Sequence, residues 1–299
     1  MRVVTYQAEQ GPRAGALWNG RIVDLGAASG GDLPCDVPAL LAADGALERA
    51  ARLLAGIDAK QGAGLPRGAV LPLRSAVLRA PVPRPGKVSC LGLNYSEHAA
   101  EGGAQAPSEP IVFAKAATSV IGPGEAIVLP AASRKVDYEV ELAVVIGRKA
   151  REVSAADAME CVAGYMVLND VSARDYQHEK PGRQWYLGKS FDTFCPTGPW
   201  LVTRDEIPDP HRLALQCEVS GEVMQSSSTA AMVFRVPEII AYISRVFTLE
   251  PGDVIGTGTP PGVGEARTPP RFLRPGDVVR CTIEGIGVLE NPVRQAAAP

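Results

Sequence analysis

The chain reads as an α+β protein built on a large mixed sheet, and three observations point there. Short apolar or alternating runs recur from end to end, and helical periodicity is confined to a few stretches. Strands and helices also fail to alternate in the βαβα order of a doubly wound fold.

The elements follow in order. Strand patterns at Arg2–Tyr6, Gly15–Trp18 and Arg21–Leu25 precede a helical pattern from Val37 to Gly56. The proline-rich run Ala80–Lys87 then marks a boundary, so residues 1–75 are expected as a small N-terminal domain and residues 76–299 as the main one. Beyond it, helices are expected at Ser154–Glu160, where Ser154 and Asp157 form a capping-box variant, over Asp170–Gln177 as one or two turns after a strand, and at Pro237–Phe247, which starts on proline. Late strands at Leu213–Val219, Glu222–Gln225, Val278–Ile283 and Gly287–Val293 complete a sheet-dominated body.

Composition narrows the function. With 299 residues, 46% hydrophobic and 21% charged, the chain is neither disordered nor membrane-spanning, and it can bury a sizeable core. A net charge of −3 without a basic stripe argues against nucleic acid as a partner. The six cysteines lack CxxC spacing, and the N-terminus lacks a secretory h-region, so a cytoplasmic protein with reduced thiols is expected.

The chemistry begins at Glu139 and Glu141. They stand two apart in a strand pattern, so both project from one face, with Asp170 some thirty residues on. Paired carboxylates repel and are costly to bury, and a hard divalent cation such as Mg²⁺ or Mn²⁺ would compensate. The alternative is an exposed strand whose glutamates meet Arg or Lys. In Cys90–Glu101, His98 and Glu101 fall at i and i+3 of a short helix, where a carboxylate can orient an imidazole that activates water. Lys189 sits among aromatic and small residues, either beside the carboxylates or snorkelling to the surface. The loop Val254–Gly264 is neither a Walker motif nor a dinucleotide loop; its N–H groups or the Thr257 and Thr259 hydroxyls could hold an anion, or it is a structural turn. His178 has no partner visible in the sequence.

Taken in order, GLNYSEHAAE (92–101), DYEVELAVVIG (137–147), NDVSARDYQ (169–177), GKSFDTFCPTGPW (188–200) and PGDVIGTGTPPGVG (251–264) resemble the fumarylacetoacetate hydrolase family, in particular its domain-containing-protein subgroup. The resemblance covers roughly residues 80–295. It implies a mixed β-sandwich roll, a homodimer, and one Mg²⁺ or Mn²⁺ per subunit held by Glu139, Glu141 and Asp170. It further implies a water-activating dyad of His98 and Glu101 on a lid, an active-site Lys189, and substrate contacts from Tyr95, Gln177 and Thr259. The partner would be a small 2-oxo acid. The implied reaction is hydrolysis of the C–C bond of a 2,4-dioxo acid by way of an enolate. The alternatives are oxaloacetate tautomerisation or decarboxylation, a 2-hydroxyhepta-2,4-diene-1,7-dioate-type isomerisation, and non-catalytic binding of a 2-oxo acid. Where some acylpyruvate-cleaving members carry arginine before the Asn-Tyr pair, this chain has Leu93.

Overall fold

Alternation explains the central strand, Val140–Ile146. Val140, Leu142, Val144 and Ile146 face one core, Ala143 and Val145 face another, and the run is apolar throughout because both faces are covered. In the computed structural model, which describes residues 1–60 and 63–297, this strand lies inside a twelve-stranded sheet. Arg2–Ala8 pairs with Cys195–Thr203, which pairs with Val162–Asn169, which pairs with Val140–Ile146; these contacts are antiparallel. Val254–Gly256 follows, then runs parallel to Val88–Gly92, and Ile111–Lys115 closes that edge. At the other side the sheet continues through Gly11–Trp18, Arg21–Asp24 and Val70–Pro72.

A second sheet of five strands covers one face, in the order Glu222–Ser228, Ala214–Val219, Val278–Ile283, Gly287–Gln295, Ile127–Leu129. Its Leu215, Cys217, Val279 and Leu289 share a core with Val140, Leu142 and Val144. Helices Val37–Ala42 and Ala46–Ala59 lie toward the opposite face, where Leu40, Ala46 and Ala50 join Ala143, Val145 and Leu168. The fold is therefore the α+β arrangement expected, a large mixed sheet with a small helical region.

Local differences have local causes. The single helical pattern from Val37 to Gly56 is two helices, because Gly45 takes the left-handed conformation (φ +63°) between them. The helix expected at Ser154–Glu160 is only a 3₁₀ turn at Ala158–Cys161. There Ser154 Oγ donates to Asp157 Oδ2 at 2.7 Å and accepts from the Asp157 N–H at 3.3 Å, closing a turn in place of a helical entry. The helix expected from Pro237 runs Val236–Val246, with the Arg235 N–H donating to Glu238 at 2.7 Å. All six cysteines are free thiols. Among the described residues no helix is long and apolar enough to cross a membrane.

Candidate active site

Two neighbouring strands end at the site. Glu139 and Glu141 flank the start of Val140–Ile146, and Asp170 follows the last residue of Val162–Asn169. Antiparallel register sets Val140 opposite Asn169, and the Asp170 N–H donates to the Glu139 carbonyl at 2.8 Å. Glu139, Glu141 and Asp170 are 4%, 0% and 0% exposed, which removes the solvent-facing alternative. One carboxylate oxygen from each lies within 4.8 Å of the other two.

Such a cluster needs positive charge. Lys189 Nζ donates to Glu139 Oε2 at 2.9 Å and Asp170 Oδ2 at 2.7 Å, and Arg174 Nη2 lies 2.7 Å from Glu139 Oε1. Burial opposes charge on Glu139, yet Lys189 and Arg174 hold its carboxyl well below the usual range. Glu141 is different. Burial, then the charges of Asp170 and Glu139, push its carboxyl well above that range. Its Oε1 is buried without a hydrogen-bond partner, while Oε2 accepts only the Gly258 N–H at 3.1 Å. A side chain on Gly256 would meet Glu141 Oε2 at 2.4 Å, so glycine keeps that space open. An all-oxygen donor set with an orphaned oxygen fits a hard divalent cation, and Glu139, Glu141 and Asp170 are the residues that would hold it.

Above the trio lies a cavity of about 580 Å³. His98 and Glu101 line it from the helix Ser96–Glu101, with Nδ1 and Oε2 3.3 Å apart, so Nε2 is the ring nitrogen left free. Both Glu101 oxygens accept the Gly262 N–H, at 2.9 and 3.1 Å. The N–H groups of the glycine-rich loop are taken by the protein's own carboxyl groups. Gly258 takes Glu141, Gly262 takes Glu101, and the N–H groups of Gly264 and Glu265 take Asp137 at 2.7 and 3.0 Å. The Thr257 and Thr259 hydroxyls donate to the carbonyls of Leu142 and Val140, each at 2.9 Å, and so lace the loop to the central strand.

The remaining expected residues divide by place. Lys189 and Gln177 line the cavity; Gln177 Oε1 accepts from Arg174 at 2.9 Å, which fixes its amide group. Thr259 lines it too, with its hydroxyl already committed. Tyr95 is fully buried in the main core, its hydroxyl unpartnered, and burial followed by the Glu141 charge pushes that hydroxyl's pKa up.

The structure adds groups that sequence reasoning passed over. Lys115, at the end of the edge strand, donates to Asp170 Oδ1 at 2.5 Å and to the Val171 carbonyl at 3.2 Å. Arg174 joins Asp137 Oδ2 at 2.9 Å to the trio, and burial is overcome by those acids, so its guanidinium stays charged. The turns expected over Asp170–Gln177 are instead the strand Ser172–Ala173, paired with Val136–Asp137, and the π-helical turn Asp175–Glu179, in which His178 finds Glu265 at 3.3 Å. A lysine closing the apolar run IVFAK was the one available signal; the other partners lie far apart in sequence.

A family model described as fumarylacetoacetate (FAA) hydrolase C-terminal matches residues 87–294. The human protein named oxaloacetate tautomerase FAHD2A, mitochondrial, is 54% identical over 224 residues, covering 75% of this chain and 71% of its own. The Xenopus laevis protein named oxaloacetate tautomerase fahd2, mitochondrial, is 46% identical over 298 residues, 98% of this chain and 90% of its own. Among solved structures, maleylpyruvate hydrolase from Sphingobium sp. SYK-6 superposes with a TM-score of 0.79 at 34% identity, covering 99% of this chain and all of that one. The expected motifs, the buried acidic trio and these matches agree: the chain belongs to the fumarylacetoacetate hydrolase family.

Proposed function

We propose that this chain is a Mg²⁺- or Mn²⁺-dependent enzyme of small 2-oxo acids, and that it interconverts the enol and keto forms of oxaloacetate or a close analogue. The observation that carries the reading is the orphaned, buried oxygen of Glu141 opening a three-carboxylate seat beneath a cavity that also holds an imidazole–carboxylate pair. Similarity to two proteins named oxaloacetate tautomerase favours this reaction over others on the same scaffold.

A bound divalent cation would supply Lewis acidity to the oxygens of the 2-oxo acid. The chain's own residues handle the proton. Tautomerisation takes one proton from the enol oxygen and places one on the adjacent carbon, with no net change. His98 Nε2 carries it, while Glu101, fixed by Gly262, holds the ring's orientation through Nδ1. Lys189 is a poor base: although burial opposes its charge, Asp170 and Glu139 hold the ammonium well above its ordinary pKa. It serves as a fixed positive charge beside the developing enolate. Enol absorbance should decay faster with enzyme and Mg²⁺ than with chelator or with His98→Ala. Equal rates in all three would overturn the assignment.

A second reading is hydrolysis of a 2,4-dioxo acid. It is favoured by the same His98–Glu101 geometry, which suits water activation, and by likeness to a maleylpyruvate hydrolase. Metal-dependent release of pyruvate from such an acid would support it. The homodimer implied by the resemblance belongs to either reading and is checked by light scattering.

A further inference from the structure

The cavity is lined by five cationic or imidazole side chains: His98, Arg174, His178, Arg183 and Lys189. Four already have acids. His98 meets Glu101 at 3.3 Å, His178 meets Glu265 at 3.3 Å, Arg174 meets Asp137 at 2.9 Å and Glu139 at 2.7 Å, and Lys189 holds Glu139 and Asp170. The acids lining the cavity, Glu101, Glu139 and Glu265, are thereby all engaged. Arg183 pairs with no carboxylate among the described residues. It is the one uncommitted charge that faces the ligand space, and it is exposed, whereas the trio is buried.

Its surroundings fix where it stands. Gly182 (φ +75°) and Arg183 (φ +54°) form a left-handed turn closed by the Arg183 N–H on the Lys180 carbonyl at 3.0 Å. The Trp185 N–H then donates to the Arg183 carbonyl at 2.9 Å, tying the turn to a residue whose ring lines the same cavity. The wall formed by Leu91, Leu93, Phe113 and Trp185 offers little to an ionised group. Gln177 lines the same cavity, and its amide N–H groups have no partner among the described residues. A ligand seated at the trio through one end therefore meets apolar contact on one side and a lone guanidinium at the rim.

We propose that Arg183 binds the second carboxylate of a 2-oxo dicarboxylic acid whose first carboxylate and 2-oxo group lie at the Glu139/Glu141/Asp170 end. This rests on the 2-oxo-acid reading above and adds the residue that distinguishes diacids from monoacids. A guanidinium fork matches a carboxylate in shape and charge, and the pair forms without breaking an internal ion pair.

The test compares oxaloacetate, which carries a second carboxylate beyond its 2-oxo-acid end, with oxalate, which has only the two adjoining carboxylates of the inner end. In Arg183→Gln, KM for oxaloacetate should rise roughly ten- to a hundred-fold, the value of a lost hydrogen bond to a charged group. kcat and the inhibition constant of oxalate should stay as in wild type, and Arg183→Lys should fall between. An unchanged KM, or a parallel weakening of oxalate, would overturn the inference. Calorimetric titration with oxalate and Mg²⁺ separates the two levels. A wild type that binds no oxalate removes the 2-oxo-acid reading and this inference with it; one that binds oxalate while losing no diacid affinity in Arg183→Gln removes this inference alone.

Discussion

Lys115 Nζ lies 2.5 Å from Asp170 Oδ1, and neither side chain is exposed to solvent. Lys189 holds the other oxygen of the same carboxylate, so Asp170 is gripped from both sides by lysines from different elements. The grip fixes the direction in which Asp170 offers its electrons to anything bound at the trio.

Lys115→Met should therefore destabilise the fold. Breaking a buried pair costs about 3–5 kcal/mol, and the lower end applies because Lys189 remains. Urea denaturation would measure the loss, and Mg²⁺ should recover part of it by neutralising Asp170. Equal stability of variant and wild type in chelator would contradict the account.

Glu141→Gln should behave in the opposite way. It removes a buried carboxyl whose neighbours repel its charge, so the melting temperature in chelator should hold or rise. The increase in melting temperature that Mg²⁺ gives wild type should disappear, because binding to the native state alone is what stabilises. Retention of that increase would take Glu141 out of the cation seat.

His98→Ala should cut turnover by roughly 10²–10⁴-fold, the usual worth of a positioned acid–base group, while leaving Mg²⁺ binding intact. Glu101→Gln should also lower turnover, because Glu101 both orients His98 and receives the Gly262 N–H. A variant that lost cation binding would instead implicate the dyad in the fold of the site.

Away from the site, Asp24 sets an acid limit on the first strands. Burial opposes its charge, but Arg13, the Ala27 N–H and Tyr6 hold its carboxyl below the ordinary 3.8. A lowered native pKa gives stability that is present above the unfolded value and lost as pH falls through the folded one. Asp24→Asn should thus be less stable than wild type at pH 7, and their urea midpoints should converge below pH 3.8. A gap independent of pH would assign the effect to packing.

Period-two spacing made the Glu139/Glu141 pair legible with Asp170 beside it, and i,i+3 spacing made the His98–Glu101 contact legible. The expected antiparallel late strands were legible for the same reason, since alternation is a local signal. Ser154–Glu160 was misread because a side-chain turn uses the same residues as a helix cap. Lys115 and the His178–Glu265 pair were not legible, as their meaning depends on which strand edge and which loop the sheet order brings alongside. Nor could spacing foretell that the Thr257 and Thr259 hydroxyls are spent on strand carbonyls.

The loop after Val254–Gly256 clasps Glu141, Glu101 and Asp137 entirely through peptide N–H groups. Only proline lacks that hydrogen, so alanine scanning deletes none of those donors. Alanine at Gly258, Gly262 or Gly264 would instead set a Cβ 2.7 Å from the Asn94 Cβ, 2.2 Å from the Met224 carbonyl or 2.1 Å from the Arg271 carbonyl. Side-chain mutagenesis would thus report a steric clash and not the hydrogen bonds that join the acidic trio, the dyad and the Arg174 anchor in one backbone. Ester-for-amide replacement at Gly258 or Gly262 is the chemistry that would make its contribution visible.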